Sequence, residues 1–132
     1  MIGMPNSKLL TIAVPAYNAA SYLHTCLDSL VQSGDEVEVL VVNDGSKDGT
    51  FQVARDYAER HPGIVVAVDQ ENRNWGGAVN HALELASGTF FYIVDSDDWL
   101  DSAKLTEVVS RLRMLEEQQA GIDLYMVNYV YN

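Results

Sequence analysis

Cysteine is almost missing. Cys26 is the only one in 132 residues, so no internal disulfide can form and a reducing compartment is expected. Basic residues are scarce too. Eight lysines and arginines face 19 aspartates and glutamates, a formal net charge of -11. A nucleic-acid binder needs a basic face, so this balance argues against that partner. A phosphorylated ligand would also meet repulsion unless a cation came with it. Long apolar runs are lacking: stretches such as 39–42 and 90–94 fall far below the ~20 residues of a membrane helix. Residues 1–7 hold no apolar stretch of signal-peptide length. The expectation is a soluble, cytoplasmic chain, held at the membrane face only where a longer parent protein carries an anchor. The G-x-G-x-x-G fingerprint of a dinucleotide-binding dehydrogenase is absent as well.

What is present suits one globular domain. Hydrophobic residues make up 48% and charged residues 20%, close to the globular average rather than a disordered composition. The length fits one domain of the usual ~100–200 residues, able to bury roughly two thirds of its unfolded surface.

Two patterns alternate along the chain. Short apolar, β-branched runs occupy residues 9–14, 37–42, 64–68, 90–94 and 122–130. The first four are nearly continuous, as in parallel strands buried on both faces. The fifth alternates and reads as an edge or exposed strand. Between the runs lie helical stripes: Leu23, Cys26, Leu27, Leu30 and Val31; Phe51, Ala54, Tyr57 and Ala58; Val79, Ala82, Leu83 and Ala86; Leu105, Val108, Val109, Leu112 and Leu115. Ser33-Gly34-Asp35, His61-Pro62-Gly63 and Ser87-Gly88 punctuate them. This alternation predicts an α/β fold: a three-layer α/β/α sandwich on a mainly parallel sheet.

In such a sheet ligands sit beyond the carboxyl ends of the strands. Those ends are Pro15-Ala16-Tyr17-Asn18, Asn43-Asp44-Gly45-Ser46, Asp69-Gln70-Glu71-Asn72 and Asp95-Ser96-Asp97-Asp98. The last is the strongest signal. On an extended strand, residues two apart face one side, so Asp95 and Asp97 converge while Asp98 turns away or joins the next loop. Two carboxylates ~4 Å apart repel by ~1 kcal/mol in water and by ~4 kcal/mol at an effective dielectric of 20. Either one is protonated or a cation sits between them, and hard oxygen ligands suit Mg²⁺ or Mn²⁺ bound with phosphates. The plainer reading is that these aspartates cap the helix starting near Ser102. Asp44 stands where a carboxylate could accept a base N–H. Ser46 and Asp48 fit a helix cap. Asn18 also fits a cap, and Tyr17 offers a flat ring for stacking.

Together, four stretches resemble the N-terminal half of a family 2 glycosyltransferase with the GT-A fold. They are Thr11-Ile12-Ala13-Val14-Pro15-Ala16-Tyr17-Asn18, Val41-Val42-Asn43-Asp44-Gly45-Ser46-Lys47-Asp48-Gly49-Thr50, Asn72-Arg73-Asn74-Trp75-Gly76-Gly77-Ala78-Val79-Asn80 and Asp95-Ser96-Asp97-Asp98. The resemblance spans residues 8–105, and the order and spacing of the stretches are specific. It implies transfer of a sugar, with inversion, from a nucleotide-sugar donor, most often UDP-linked, to an acceptor hydroxyl in polysaccharide or glycan synthesis. The implied donor contacts are Pro15, Ala16, Tyr17, Asn18, Asp44, Gly45, Ser46, Arg73, Gly76, Asn80, Asp95, Ser96 and Asp97. Within these, Asp44 would meet the uracil ring. Asp95, Asp97 and Asp98 would serve the metal, Mg²⁺ or Mn²⁺.

Two departures stand out. Family members often carry an arginine before the Asn80 position, where Val79 stands here; Arg73 is the nearby substitute. The acceptor-side general base of inverting transfer also has no recognisable motif after Asp98. Asp101, Glu107, Glu116, Glu117 and Asp123 read as a solvated helix and its flanks. The expectation is one domain over residues 1–132, the donor-binding part of a longer enzyme, with the base and a glycan or lipid-linked acceptor site in the other half. An exposed apolar edge at residues 124–130 would favour self-association.

Other readings are weaker. A binding-only module would keep the donor site without the chemistry. A haloacid-dehalogenase-type phosphatase wants its D-x-D after the first strand and a Thr or Val where Trp99 stands. A sugar-nucleotide pyrophosphorylase wants a Gly-rich, Arg-bearing loop after strand one. His24, His61 and His81 lack metal-ligand spacing. Cys26 fits a helix core face and an inert thiol. Trp75 and Trp99 flank the ligand loops, with core packing and ligand contact equally open.

Overall fold

The computed structural model describes residues 8–118. Its elements alternate strictly: β1 (Lys8–Ala16), α1 (Leu23–Asp28), β2 (Val37–Asp44), α2 (Thr50–Arg60), β3 (Val65–Gln70), α3 (Asn74–Leu85), β4 (Gly88–Ile93) and α4 (Ser102–Glu117). The four strands form one sheet in the order β3-β2-β1-β4, and every pairing is parallel. The expected parallel α/β sandwich is therefore what forms. The fifth apolar run, at 122–130, lies outside the described residues.

Strand alternation sends side chains to two unequal cores. Ile12, Val14, Val37, Val39 and Val41 pack with Leu23, Leu27, Tyr57, Leu105, Val109 and Leu112, which places α1, α2 and α4 on one face. On the other face Ala13, Leu40, Val42 and Val68 meet Ala78 and Ala82 of α3. Small residues on both sides let that helix approach the sheet closely.

Burial on both faces holds for β1 and β2 only. In β3, Val66 is 44% exposed, and residues 90–93 of β4 are half-buried. These strands flank the central pair, so each has a strand neighbour on one side among the described residues. Two helical stripes also shift. Helix α1 ends at Asp28, so Leu30 and Val31 are buried from the following turn. Leu83 is 51% exposed, because α3 faces the sheet through Ala78, Val79 and Ala82.

At the opposite end from the ligand loops, buried Glu38 is satisfied by neighbours. Its Oε2 accepts from Thr11 Oγ1, from Ser87 N at 2.6 Å and from Ser87 Oγ at 2.9 Å. Gly88 N donates to Thr11 Oγ1 at 2.8 Å, which joins the start of β4 to β1. A buried carboxylate with these donors locks register rather than serving a ligand.

Candidate functional site

The loops after the strands enclose an open cleft of about 330 Å³. Its walls are Pro15, Ala16 and Tyr17 from the end of β1, Asp44 from the end of β2, and Trp75 and Ala78 from α3. Tyr22 and the segment Asp95-Ser96-Asp97 complete it. Parallel pairing sets Ala16 beside Asn43 and Asp44 beside Gln70, which brings these ends to one level.

The acidic segment converges by a turn, not by strand alternation. Strand β4 stops at Ile93, and Asp98 N donates to the Asp95 carbonyl at 2.9 Å. Carboxylate oxygens of Asp95, Asp97 and Asp98 lie within 4.8 Å of one another. Asp98 therefore joins the cluster instead of turning away, because the turn folds it back. Partial desolvation, then the charges of Asp97 and Asp95, push the Asp98 carboxyl above its ordinary value. Neither ion pair among the described residues involves this cluster. Three convergent hard oxygen donors without a cationic partner are a donor set that fits Mg²⁺ or Mn²⁺.

The capping alternative belongs to another residue. Asp101 Oδ1 accepts from Lys104 N at 3.1 Å and caps α4. The acidic turn is also anchored from beneath. Cys26 Sγ donates to the Asp95 carbonyl at 3.8 Å, and Leu100 N donates to Ser29 Oγ at 3.0 Å. Above it, Trp75 Nε1 donates to Asp95 Oδ1 at 2.9 Å. Trp75 is 55% exposed, so its ring faces the ligand side rather than the core.

Asp44 is the buried acid of the cleft, 3% exposed. Its Oδ1 accepts from Gln70 Nε2 at 2.9 Å and from the Arg73 amide at 2.7 Å. Gly45 follows at φ +70, and a Cβ there would stand 2.8 Å from Asn72 N. Glycine alone satisfies both demands.

Other expected contacts serve the scaffold. Asn18 does not cap α1; Tyr22 holds that position, without a side-chain bond. Asn18 instead sits at φ 49, donates its amide to Ser46 Oγ at 2.9 Å and accepts from Lys47 N at 2.8 Å. Asn18 and Ser46 thus tie the first ligand loop to the second. Asp48 accepts from the Thr50 amide at 3.0 Å and hydroxyl, and from Ala20 N at 3.2 Å. The Thr50 hydroxyl, with the backbone donors, holds its carboxyl below the ordinary value. Arg73, Gly76 and Asn80 are exposed and outside the cleft lining. Gly76 borders open space, and Gly77 is the tight one: a Cβ there would stand 2.3 Å from Arg73 Cβ.

Sequence reading missed Tyr22 and Ala78 as lining residues. Tyr22 carried a weak signal, a second aromatic five residues after Tyr17 in the same loop. Ala78 carried none, since its position depends on how closely α3 lies against the sheet.

The profile of glycosyl transferase family 2 matches residues 11–130. The chain belongs to this family. The putative glycosyltransferase EpsH of Bacillus subtilis is 39% identical over 121 residues, covering 91% of this chain and 33% of EpsH. Among solved structures, Staphylococcus aureus TarS 1–349 in complex with UDP-GlcNAc superposes with a TM-score of 0.71 at 29% identity. That likeness covers 84% of this chain and 32% of TarS 1–349. The mannosyltransferase PcManGT of Pyrobaculum calidifontis, in complex with GDP-Man and Mn²⁺, gives a TM-score of 0.66 at 32% identity, covering 78% and 32% of the two chains. The fold is that of GT-A glycosyltransferases, and this chain spans about a third of each of these relatives.

Proposed function

We propose that this chain binds the nucleotide of a sugar donor, most simply a UDP-sugar, in the cleft at the carboxyl ends of its strands. The sugar passes to an acceptor hydroxyl with inversion, in polysaccharide or glycan assembly. The observation that carries the reading is the meeting of Asp95, Asp97 and Asp98 beside a cleft that also holds Tyr17 and Asp44. TarS bound to UDP-GlcNAc and PcManGT bound to GDP-Man and Mn²⁺ share the fold and support it.

The residues divide the work. Tyr17, half exposed, offers a face for the base, and Asp44 accepts a base N–H. Asp95, Asp97 and Asp98 hold Mg²⁺ or Mn²⁺. The bound cation offsets the diphosphate charge and stabilises it as a leaving group. Asn18, Gly45 and Ser46 keep the two loops in place. Arg73, Gly76 and Asn80, exposed and close in sequence to the lining residues Trp75 and Ala78, are assigned to the outer part of the donor site.

No general base for the acceptor stands among the described residues of the cleft. Asp101 caps α4 and Glu107 pairs with Lys104 at 3.6 Å. Glu116 and Glu117 end α4, and Asp123 lies outside the described residues. We therefore assign the base, and the glycan or lipid-linked acceptor, to the acceptor-side half of a longer enzyme. Acceptor positioning contributes ~7–11 kcal/mol and a general base roughly 10²- to 10⁴-fold, so this chain alone transfers sugar poorly.

Calorimetry with UDP tests the reading. Binding is expected with Mn²⁺ or Mg²⁺ and much weaker in EDTA. Equal binding in both conditions would remove the metal role of the three aspartates.

A further inference from the structure

A chain of polar side chains leads away from the cleft beneath Asp44. Gln70 closes β3 as Asp44 closes β2, and the register sets the two side by side. Gln70 Nε2 lies 2.9 Å from Asp44 Oδ1, and Gln70 Oε1 lies 2.7 Å from His81 Nδ1. Gln70 is 9% exposed and does not line the cleft. His81 sits on α3 two turns after its start and is half-buried.

The donors and acceptors in this row can be assigned in one way. An ionised carboxylate only accepts, so the amide must present its NH₂ to Asp44. The amide oxygen then faces His81, and an amide oxygen also only accepts. His81 Nδ1 must therefore carry a hydrogen, in the Nδ1–H tautomer or in the imidazolium. Turning the amide over would set its oxygen against the Asp44 carboxylate, two acceptors facing each other, and its NH₂ toward His81 Nδ1.

We propose that His81 and Gln70 are positioning residues for base selection: they hold Asp44 as an acceptor-only anchor for nucleobases that present a ring N–H. The inference rests on the reading of Asp44 as the base contact. Both protein donors, Gln70 Nε2 and the Arg73 amide, converge on Oδ1. That arrangement reserves Oδ2 for the ligand and fixes the plane of the carboxylate. Uracil offers N3–H, and guanine offers N1–H with its exocyclic amine. Cytosine and adenine present a lone pair at the corresponding ring nitrogen and are repelled by a carboxylate. Without His81, the amide of Gln70 is free to turn and set its oxygen against Asp44. The carboxylate then loses its fixed plane, and discrimination between bases weakens.

UDP and CDP are the sharpest pair of probes, because they differ only at the pyrimidine edge. Calorimetry in Mn²⁺ should show the unaltered chain preferring UDP by at least about 10-fold, the worth of one charge-assisted hydrogen bond. His81→Ala and Gln70→Met should reduce that ratio several-fold, while His81→Gln, which keeps an N–H donor, should restore part of it. Full retention of the ratio in both reducing variants overturns the relay and leaves Asp44 as the base contact. Absence of any UDP preference in the unaltered chain overturns the base-contact reading and the relay with it. Long-range ¹H–¹⁵N NMR of the unaltered protein gives an answer that no variant's folding can obscure. A protonated Nδ1 on His81 is expected, and the Nε2–H tautomer would overturn the assignment.

Discussion

The indole nitrogen of Trp75 lies 2.9 Å from Oδ1 of Asp95, so a half-exposed aromatic from α3 holds an acid from the turn after β4. The two residues are 20 positions apart and belong to different ligand loops. A donor placed on one carboxylate oxygen turns the other toward whatever the cluster binds. Partners of this kind commonly matter by roughly 10- to 100-fold in metal affinity. Trp75→Phe keeps the ring and removes the donor. Its Mn²⁺ affinity, followed by electron paramagnetic resonance, is expected to fall about 10-fold or more. Unchanged affinity would mean that the contact only packs the loop.

Neighbouring aspartates should separate by role. Asp97→Ala and Asp98→Ala should both weaken Mn²⁺ binding, since both carboxylates stand in the cluster. Asp101→Ala should leave Mn²⁺ binding alone and lower stability by about 0.5–2 kcal/mol, because it removes the cap of α4. Denaturant melts beside metal titrations test the pair of statements. A metal defect in Asp101→Ala would contradict the division.

Gly45 should resist replacement. Gly45→Ala places a Cβ at φ +70 and 2.8 Å from a backbone nitrogen. A loss of about 1–3 kcal/mol is expected, with weaker UDP binding, since Asp44 is the preceding residue. Gly76→Ala, facing open space, should melt close to the unaltered chain. Equal melting of the two variants would sink this account of the loop.

The thiol of Cys26 should be inert. Burial first, and then the charges of Asp98, Asp97 and Asp95, push it up to about 12 from an ordinary 9.0. Alkylation by iodoacetamide at neutral pH should be slow until the chain is unfolded by denaturant. The sign for stability follows. Above pH 9.0 the unfolded chain releases this proton and the folded chain keeps it until about 12. The contribution of Cys26 to stability is therefore whole below pH 9.0 and is lost as pH rises toward 12. Rapid alkylation of the folded chain would show that the acidic turn opens readily.

Much of this architecture is legible in the order of the residues. The short continuous apolar runs and the helical stripes with a period near 3.6 are local patterns, so they specify strands, helices and their alternation without reference to distant neighbours. Asp44 and Asp95-Ser96-Asp97-Asp98 were visible for the same reason, as acids placed where apolar strands stop.

What the tertiary structure decided concerns pairs that are far apart in sequence. Whether β3 and β4 bury both faces depends on sheet order, and each has a strand neighbour on one side among the described residues. Asp98 reads as a loop residue, yet a backbone turn from Asp98 N to the Asp95 carbonyl brings it back into the cluster. Trp75 was equally open to core or ligand until its indole met Asp95 across the cleft. His81 carried no metal-ligand spacing, and its contact with Gln70 at the end of β3 exists only because α3 docks on the sheet over β1 and β2. Composition and period belong to neighbours along the chain, whereas a carboxylate's donors are chosen by how strands register and helices dock.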